Sequence, residues 1–322
     1  MTLLQVRELD VSYKTLKGEL KAVQGVSFDL EEQETLGIVG ESGSGKSTLG
    51  LALLNLMPPQ GKVTHGQILL DGEDVLALDK EQLRRLRGKM VSMIFQDPMT
   101  SLNPVKKIGD HFVEAIRAHD PNIPPEEALE KAGKILKQLG MSSDRLGDYP
   151  HQLSGGMKQR IMIGLGLALD PKLLIADEPT TSLDVVIEAQ ILDLLRQLKG
   201  SLKLSMILIT HNLGVVAEVA DRIAIMYGGE IYELAEAKAM FKKPLFPYTQ
   251  LLLKLVPNVT LETTSLEWIP GSPPDLSYPI AGCKFAARCP FVLDKCKTSR
   301  PTYKEMEPGH WVACHLYDGG AR

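Results

Sequence analysis

Long apolar runs, clustered basic charge and early cysteines are all missing from this chain of 322 residues. No run of about 18 apolar residues occurs, so we expect no membrane-spanning helix, and any work at a membrane would need partner subunits that span it. The opening MTLLQVRELD lacks the basic-then-apolar layout of a secretory signal, and we expect the protein to stay in the cytoplasm. The formal net charge is -4 with scattered basic residues, which argues against nucleic acid or anionic lipid as a main ligand.

The composition and the apolar pattern predict a folded α/β protein. The chain is 44% hydrophobic and 24% charged, as in ordinary soluble globular proteins. Short apolar runs separated by helical stretches predict a parallel sheet with helices on both faces, and the main runs span 35–39, 90–95, 172–176 and 205–210. The residues that follow them are Gly40, Gln96, Asp177 and His211. Because open parallel sheets bind ligands beyond the carboxyl ends of their strands, we expect these four residues to line one crevice.

Three regions depart from this pattern. Residues up to about 33 alternate polar and apolar and predict a small antiparallel β layer. Residues 108–139 have helical spacing, and we interpret about 97–166 as an inserted helical subdomain. After about residue 256 the prolines cluster and all four cysteines follow, so we predict one domain over 1–255 and an extension over 256–322.

Residues 40–47, GESGSGKS, fit the phosphate-loop pattern G-x4-G-K-[S/T] between a predicted strand and a predicted helix at 48–56. Glycines let successive N–H groups point at phosphates, and the helix adds the positive end of its dipole. Lys46 would reach the β- and γ-phosphates of ATP and the Ser47 hydroxyl would ligate Mg2+. A glycine-rich turn without a ligand is the alternative, which the strand and helix context disfavours. The expected nucleotide-binding residues are Gly40, Ser42, Gly43, Ser44, Gly45, Lys46, Ser47 and Thr48.

Two further motifs carry candidate chemistry. Asp177 and Glu178 are adjacent carboxylates after a buried strand, which is costly unless a cation or water lies between them. Asp177 suits the outer sphere of Mg2+, and Glu178 can polarise the water that attacks the γ-phosphate. A solvated strand end is the alternative when such a pair stands alone. The segment LSGGMKQ at 153–159 opens a predicted helix, where Ser154 could be an N-cap and no more.

Taken in order, these motifs resemble those of the ATP-binding-cassette (ABC) ATPases over nearly all of residues 1–255. The resemblance implies a P-loop NTPase cassette with a parallel-sheet core, a small antiparallel β layer and an inserted helical subdomain, followed by a cysteine-containing C-terminal extension. It also implies that Ser154, Gly155 and Gly156 belong to the family signature, which binds the γ-phosphate held by an opposite subunit.

Four isolated residues gain a role only through the resemblance. Tyr13 resembles the aromatic platform that stacks on adenine, and Gln96 resembles the glutamine that contacts Mg2+ and senses the membrane partner. Asp184, in Ser182-Leu183-Asp184, resembles part of a dimer-interface loop, and His211 resembles the switch histidine on the γ-phosphate. Each alone would have an ordinary structural interpretation, such as a strand residue or a helix N-terminus.

Longer segments narrow the resemblance to the oligopeptide and dipeptide importer branch. These are QDPMTSLNP at 96–104, PYTQ at 247–250 and IPGSPPDL at 269–276, although prolines of this kind also occur in ordinary turns. Two residues depart from the family pattern. Asn212 follows the switch histidine where Asp is usual, and Phe246 precedes Pro-Tyr-Thr where His is common.

The resemblance implies an ATPase that energises peptide import at the cytoplasmic face of the cell membrane. Its expected partners are a second, paralogous cassette ATPase, two transmembrane permease subunits and an extracytoplasmic substrate-binding protein. Oligosaccharide or nickel import by the same branch is an alternative. A soluble cassette ATPase of translation or DNA repair is another, but such proteins usually carry two cassettes or a long coiled-coil insertion together with basic surfaces, which this chain lacks.

Cys283, Cys289, Cys296 and Cys314 have the spacing C-x5-C-x6-C-x17-C. Disulfides are rare in cytoplasmic proteins, so clustered thiols favour a metal. Zinc sites usually contain C-x2-C pairs, which are absent, whereas wide spacing with a Cys-Pro step suits a four-iron, four-sulfur (4Fe-4S) cluster. The family resemblance implies the same cluster. Zinc and unligated or disulfide-bonded thiols stay open as alternatives.

Overall fold

The computed structural model describes residues 1–16, 18–96, 101–181, 183–255 and 269–319. The chain forms two compact units. The first unit contains Met1–Leu76 and Leu208–Arg322, and the second contains Ala77–Ile207. Among the described residues, no helix combines the length and the hydropathy that crossing a bilayer requires.

The first unit contains an antiparallel sheet with the strand order β2-β1-β4-β5. Its strands are β1 (Thr2–Thr15), β2 (Gly18–Glu31), β4 (Gly61–Leu70) and β5 (Glu73–Asp74). Leu4, Val6, Leu9 and Val11 of β1 are at most 1% exposed, because one face of the sheet is buried. The predicted antiparallel layer is therefore confirmed, and two later strands extend it.

A second sheet of the first unit has the order β11-β12-β10-β9-β3-β8. Its strands are β3 (Thr35–Val39), β8 (Ser205–Thr210, which enters this unit at Leu208), β9 (Arg222–Tyr227), β10 (Glu230–Glu236), β11 (Tyr303–Glu307) and β12 (His310–Ala313). β3 is parallel to β9 and buried along its whole length. The helices of this unit are α1 (Lys46–Leu53), α7 (Leu213–Val219), α8 (Ala237–Lys242), α9 (Pro247–Lys254) and α10 (Asp294–Thr298), with 3-10 turns at Ala286–Arg288 and His315–Tyr317.

In the described part of the second unit, two parallel strands are accompanied by five α-helices. The strands β6 (Val91–Ile94) and β7 (Leu173–Asp177) pair with Val91 opposite Leu173. The helices are α2 (Lys80–Lys89), α3 (Ile108–Arg117), α4 (Pro125–Gln138), α5 (Gly155–Leu167) and α6 (Val185–Leu202). α3 and α4 bury one face each, as the helical spacing at 108–139 predicts. The four predicted strands of the parallel sheet are confirmed, with ends that differ by at most one residue.

The C-terminal segment, described over residues 269–319, shares a hydrophobic core with β9 and β10. Phe285 and Val312 pack with residues of β9, β10 and α9. A buried carboxylate, Glu233 of β10, accepts hydrogen bonds from the backbone N–H groups of Leu245 and Phe246, from Thr249 Oγ1 and from His310 Nε2 at 2.5–3.0 Å. These contacts join the segment to β10 and α9 of the first unit.

Candidate functional site

The phosphate loop follows β3 directly and ends where α1 begins. Two of its glycines leave no room for a side chain. A Cβ at Gly40 would stand 2.0 Å from the carbonyl oxygen of Met226, and a Cβ at Gly45 would stand 2.3 Å from that of Ala22. Gly45 also has φ 97, in the left-handed region, and is the N-cap of α1. The close approach of the loop to its neighbours thus requires glycine at both positions.

Lys46 is the first residue of α1, and its side chain folds back over the loop. The ammonium donates to the carbonyl oxygens of Gly40 and Glu41 at 2.7 and 2.9 Å and lies 3.4 Å from Ser44 Oγ. Lys46 is only 5% exposed. A buried cation at a helix N-terminus provides a favourable electrostatic environment for an anion such as a phosphate group.

Tyr13 of β1 lies beside the first turn of α1. Its hydroxyl oxygen is 3.2 Å from Thr48 Oγ1, and its ring packs against Gly61, where a Cβ would meet a ring carbon at 2.7 Å. The ring of Tyr13 is therefore held next to the phosphate loop by contacts with α1 and β4. Its stacking on adenine stays a prediction.

His211 follows β8 and is exposed. The next residue, Asn212, is the N-cap of α7, and its Oδ1 accepts a hydrogen bond from the N–H of Gly214 at 2.9 Å. Asn and Asp are about equally good N-caps, because a side-chain oxygen does the work in both. The departure from the usual Asp at position 212 therefore preserves the local support of the histidine loop.

In the second unit, Asp177 ends β7 and is 4% exposed, and Glu178 follows it. Glu178 has φ 48, a left-handed conformation that costs free energy for a residue with a side chain. Its Oε2 accepts a hydrogen bond from Thr181 Oγ1 at 2.6 Å. Strained backbone at a carboxylate is common in active sites, where surrounding contacts over-determine the geometry.

The loop at 153–159 packs against the start of α6. Ser154 is the N-cap of α5 and its Oγ accepts from the N–H of Met157 at 3.3 Å. A Cβ at Gly156 would stand 2.7 Å from Ile187 Cγ2, in the first turn of α6. Asp184 caps α6, with its Oδ1 accepting from the N–H of Ile187 at 2.9 Å. Ser154 and Asp184 thus both act as helix caps, and the two loops lie next to each other.

The predicted site residues fall in both units. The first unit holds Tyr13, residues 40–48 and His211, and the second holds Gln96, residues 154–156, Asp177, Glu178 and Asp184. Gln96 follows β6 and is exposed. Residues 97–100 of the branch segment at 96–104, and Ser182 beside Asp184, lie outside the described residues.

Three residues at the phosphate loop were not predicted from the sequence to belong to the site. Glu41, inside the loop, forms an ion pair with Arg288 through two contacts of 2.7 and 3.0 Å. The hydroxyl of Tyr248 accepts a hydrogen bond from the N–H of Glu41 at 2.9 Å. Tyr248 belongs to the PYTQ segment, which resembles the peptide-importer branch, so the sequence did single out this residue although not its contact with the loop. No sequence signal points to Arg288, which is 247 residues from Glu41.

The four cysteines influence one another electrostatically. Burial, followed by the nearby thiols of Cys296 and Cys289, raises the pKa of Cys283 to about 11. Burial and the other three cysteines raise the pKa of Cys314 to about 12. Partly buried thiols with raised pKa values are poor nucleophiles, because the reactive form is the thiolate. Metal binding would have to displace these protons.

Four cysteine thiols are suitable ligands for a metal, but the arrangement of the side chains does not support a metal site. Among the described residues, which include all four cysteines, no group of three or more His, Cys, Asp or Glu side chains is placed to hold a metal ion. This finding bears most directly on a single-ion site such as zinc, whose ligands must converge on one point. The thiolates of a four-iron cluster bind separate iron atoms and lie farther apart.

Together, the parallel strands, the phosphate loop and the acidic strand end define a nucleotide-binding protein of the P-loop class. Residues 23–181 match the family model for the ABC transporter, and residues 232–296 match that for the oligopeptide/dipeptide transporter, C-terminal region. The chain therefore belongs to the ATP-binding-cassette ATPases of ABC transporters.

Curated relatives match over nearly the full chain. The dipeptide transport ATP-binding protein DppD of Bacillus subtilis is 46% identical over 98% of this chain and 95% of its own length. The oligopeptide transport ATP-binding protein OppD of Escherichia coli is 43% identical over 97% of this chain and 92% of its own. Among solved structures, the dimeric MJ0796, a bacterial ABC transporter cassette, superposes with a TM-score of 0.65 at 27% identity, covering 73% of this chain and 99% of that one.

Proposed function

We propose that this chain is the ATP-binding and hydrolysing subunit of a membrane importer for dipeptides or oligopeptides. The near full-length similarity to dipeptide and oligopeptide transport ATP-binding proteins carries the proposal, and it extends through the matched C-terminal region at 232–296. The buried Lys46 ammonium over the phosphate loop supports the ATP-binding part. The cassette would span 1–255, with a helical subdomain at about 97–166, and the extension would span 256–322.

Each site residue would have a distinct role in the reaction. Residues 40–48 would bind the phosphates of ATP, with Tyr13 against the adenine. Ser47 and Gln96 would ligate Mg2+, and Asp177 would hold its outer sphere. Glu178 would activate the water that attacks the γ-phosphate, and His211 would contact the γ-phosphate as the switch histidine. The strained backbone of Glu178 supports its assignment.

Hydrolysis would be coupled to transport through a second cassette. The loop at 153–159 and Asp184 would contact the ATP held by that partner, so ATP would touch both subunits only in the closed state. Closure would move two transmembrane permease subunits, and an extracytoplasmic binding protein would deliver the substrate. The chain would act as a peripheral subunit at the cytoplasmic membrane face. The 153–159 loop packs against the start of α6, so one partner cassette would meet both motifs.

The test is reconstitution of the chain with a paralogous cassette, two permeases and a binding protein of a dipeptide or oligopeptide importer. In proteoliposomes, peptide-loaded binding protein is expected to raise the ATP hydrolysis rate several-fold. Oligosaccharide or nickel in place of peptide is the matched comparison, and stimulation by either one alone would reassign the substrate. A rate that does not depend on the permeases would contradict the transport role.

We further propose that the four cysteines bind a 4Fe-4S cluster that holds the C-terminal segment together. The support is the donor set itself: four thiols within electrostatic reach of one another and no other cysteine in the chain. Protein purified without oxygen is expected to contain about four irons and four labile sulfides per chain. Zinc alone, or no metal, would contradict the cluster and leave the ATPase assignment intact.

A Cys289→Ser variant should lose this iron and loosen the C-terminal segment. Because the segment packs into the core around β9 and β10, loss of ATP affinity is expected as well. Ala287→Ser, at an exposed position two residues away, is the matched control and should keep both the iron and the affinity. Iron content, ATP titration and thermal unfolding measure these effects.

A further inference from the structure

The C-terminal segment reaches the phosphate loop through an arginine that is almost completely buried. The side chain of Arg288 is 6% exposed, and its two terminal nitrogens contact both carboxylate oxygens of Glu41 at 2.7 and 3.0 Å. Arg288 also donates to the carbonyl oxygens of Pro270 and Ile269 at 2.8 and 3.2 Å and to the hydroxyl of Tyr227 at 3.1 Å. A guanidinium with this many partners is rigid, so it fixes the carboxylate that it holds.

A second basic residue of the same segment reaches the loop indirectly. The ammonium of Lys284, whose side chain is 1% exposed, donates to the carbonyl oxygen of Gly228 at 2.5 Å. The next residue, Gly229, donates its N–H to the carbonyl oxygen of Ser44 in the phosphate loop at 2.9 Å. The turn between β9 and β10 therefore connects the C-terminal segment to the phosphate loop. Lys284 binds the turn at Gly228, and the turn binds the loop through Gly229.

We propose that Arg288 and Lys284 position the phosphate loop, so that the C-terminal segment completes the ATP site of this chain. Arg288 has the larger role because it neutralises Glu41, whose backbone carbonyl also receives the Lys46 ammonium. Without Arg288 an uncompensated carboxylate would stand in the loop that binds triphosphate, and like charges repel. The inference rests on the proposed nucleotide site but adds residues to it that no ATPase motif contains.

The test is a double-mutant cycle on the full-length chain, with Mg-ATP affinity measured by isothermal titration calorimetry. Arg288→Gln is expected to raise the Kd about tenfold, because one partner of a buried charge pair is left alone. Adding Glu41→Gln should restore the Kd to within about twofold of the Glu41→Gln single variant, since the repelling charge is gone. The KM for ATP in the reconstituted complex should rise and recover in the same pattern as the Kd, since both residues act through the loop that would bind the phosphates.

Lys304→Gln is the matched control, since Lys304 of the same segment forms its ion pair with Asp318 at 3.0 Å and shares no ion-pair partner with Arg288 or Lys284. It should bind ATP as the unmodified chain does. If Arg288 were only structural, Arg288→Gln would weaken ATP binding and adding Glu41→Gln would not restore it. That result would overturn the proposal. An unchanged Kd for Arg288→Gln would overturn it as well. If Arg288→Gln does not fold, Arg288→Lys keeps the charge without the fork, and its expected rise of about threefold must disappear in the Glu41→Gln background. Failure of the unmodified chain to bind ATP would instead refute the proposed function.

Discussion

A Glu178→Gln variant is expected to bind ATP as tightly as the unmodified chain and to hydrolyse it about 1,000-fold more slowly in the assembled transporter. The amide has the shape of the carboxylate but cannot accept a proton from the attacking water. Its oxygen can still accept the hydrogen bond from Thr181 Oγ1, so the left-handed backbone at φ 48 should stay supported. Calorimetric ATP titration and phosphate release measure the two quantities separately.

Asp170→Asn is the matched control for this variant. Asp170 also has a left-handed backbone, with φ 54, and lies in the same unit, but its side chain is 74% exposed. Its amide variant should keep full hydrolysis. A parallel loss of binding and hydrolysis in Glu178→Gln would remove Glu178 from its assigned role. Glu178→Gln also tests whether the transporter contains two different cassettes. With ATP and without the paralogous cassette this variant should stay monomeric, and strong homodimerisation would contradict a heterodimeric transporter.

Lys46→Ala is expected to raise the Kd for ATP at least about 100-fold and so to abolish hydrolysis at ordinary ATP concentrations. The ammonium is held 2.7 and 2.9 Å from two loop carbonyl oxygens, and it supplies the buried positive charge that the phosphates would meet. Removing it leaves those carbonyl oxygens turned towards the space of the missing cation. Both changes disfavour an anion.

The control for Lys46→Ala is Lys238→Ala, at an exposed position of α8 in the same unit. Lys238→Ala should change neither ATP affinity nor thermal stability. Lys46→Ala should also unfold at a lower temperature than the unmodified chain, since two loop carbonyl oxygens lose their hydrogen bonds. Tight ATP binding by Lys46→Ala would show that the phosphates contact another part of the chain.

The local motifs predicted the α/β fold and the position of the phosphate loop between a strand and a helix. The phosphate loop could be predicted because its conformation depends on glycines and a lysine within eight consecutive positions, between a strand and a helix. The predicted helix at 48–56 began two residues late, because Gly45 adopts the left-handed N-cap conformation and α1 starts at Lys46. The roles of Ser154 and Asp184 as caps were foreseeable for the same reason, since a cap acts within one helical turn.

By itself, the sequence determined the order of strands and helices, the phosphate loop and the family, because these depend on residues close together in the chain. Only the tertiary structure decided that Arg288 meets Glu41, across 247 positions, and that Glu233 gathers donors from α9 and β12. It also decided that the C-terminal segment packs into the first unit and contacts the phosphate loop. The physical reason is that a buried charge must find its partners in space, and which distant residue supplies them depends on how all the intervening elements pack.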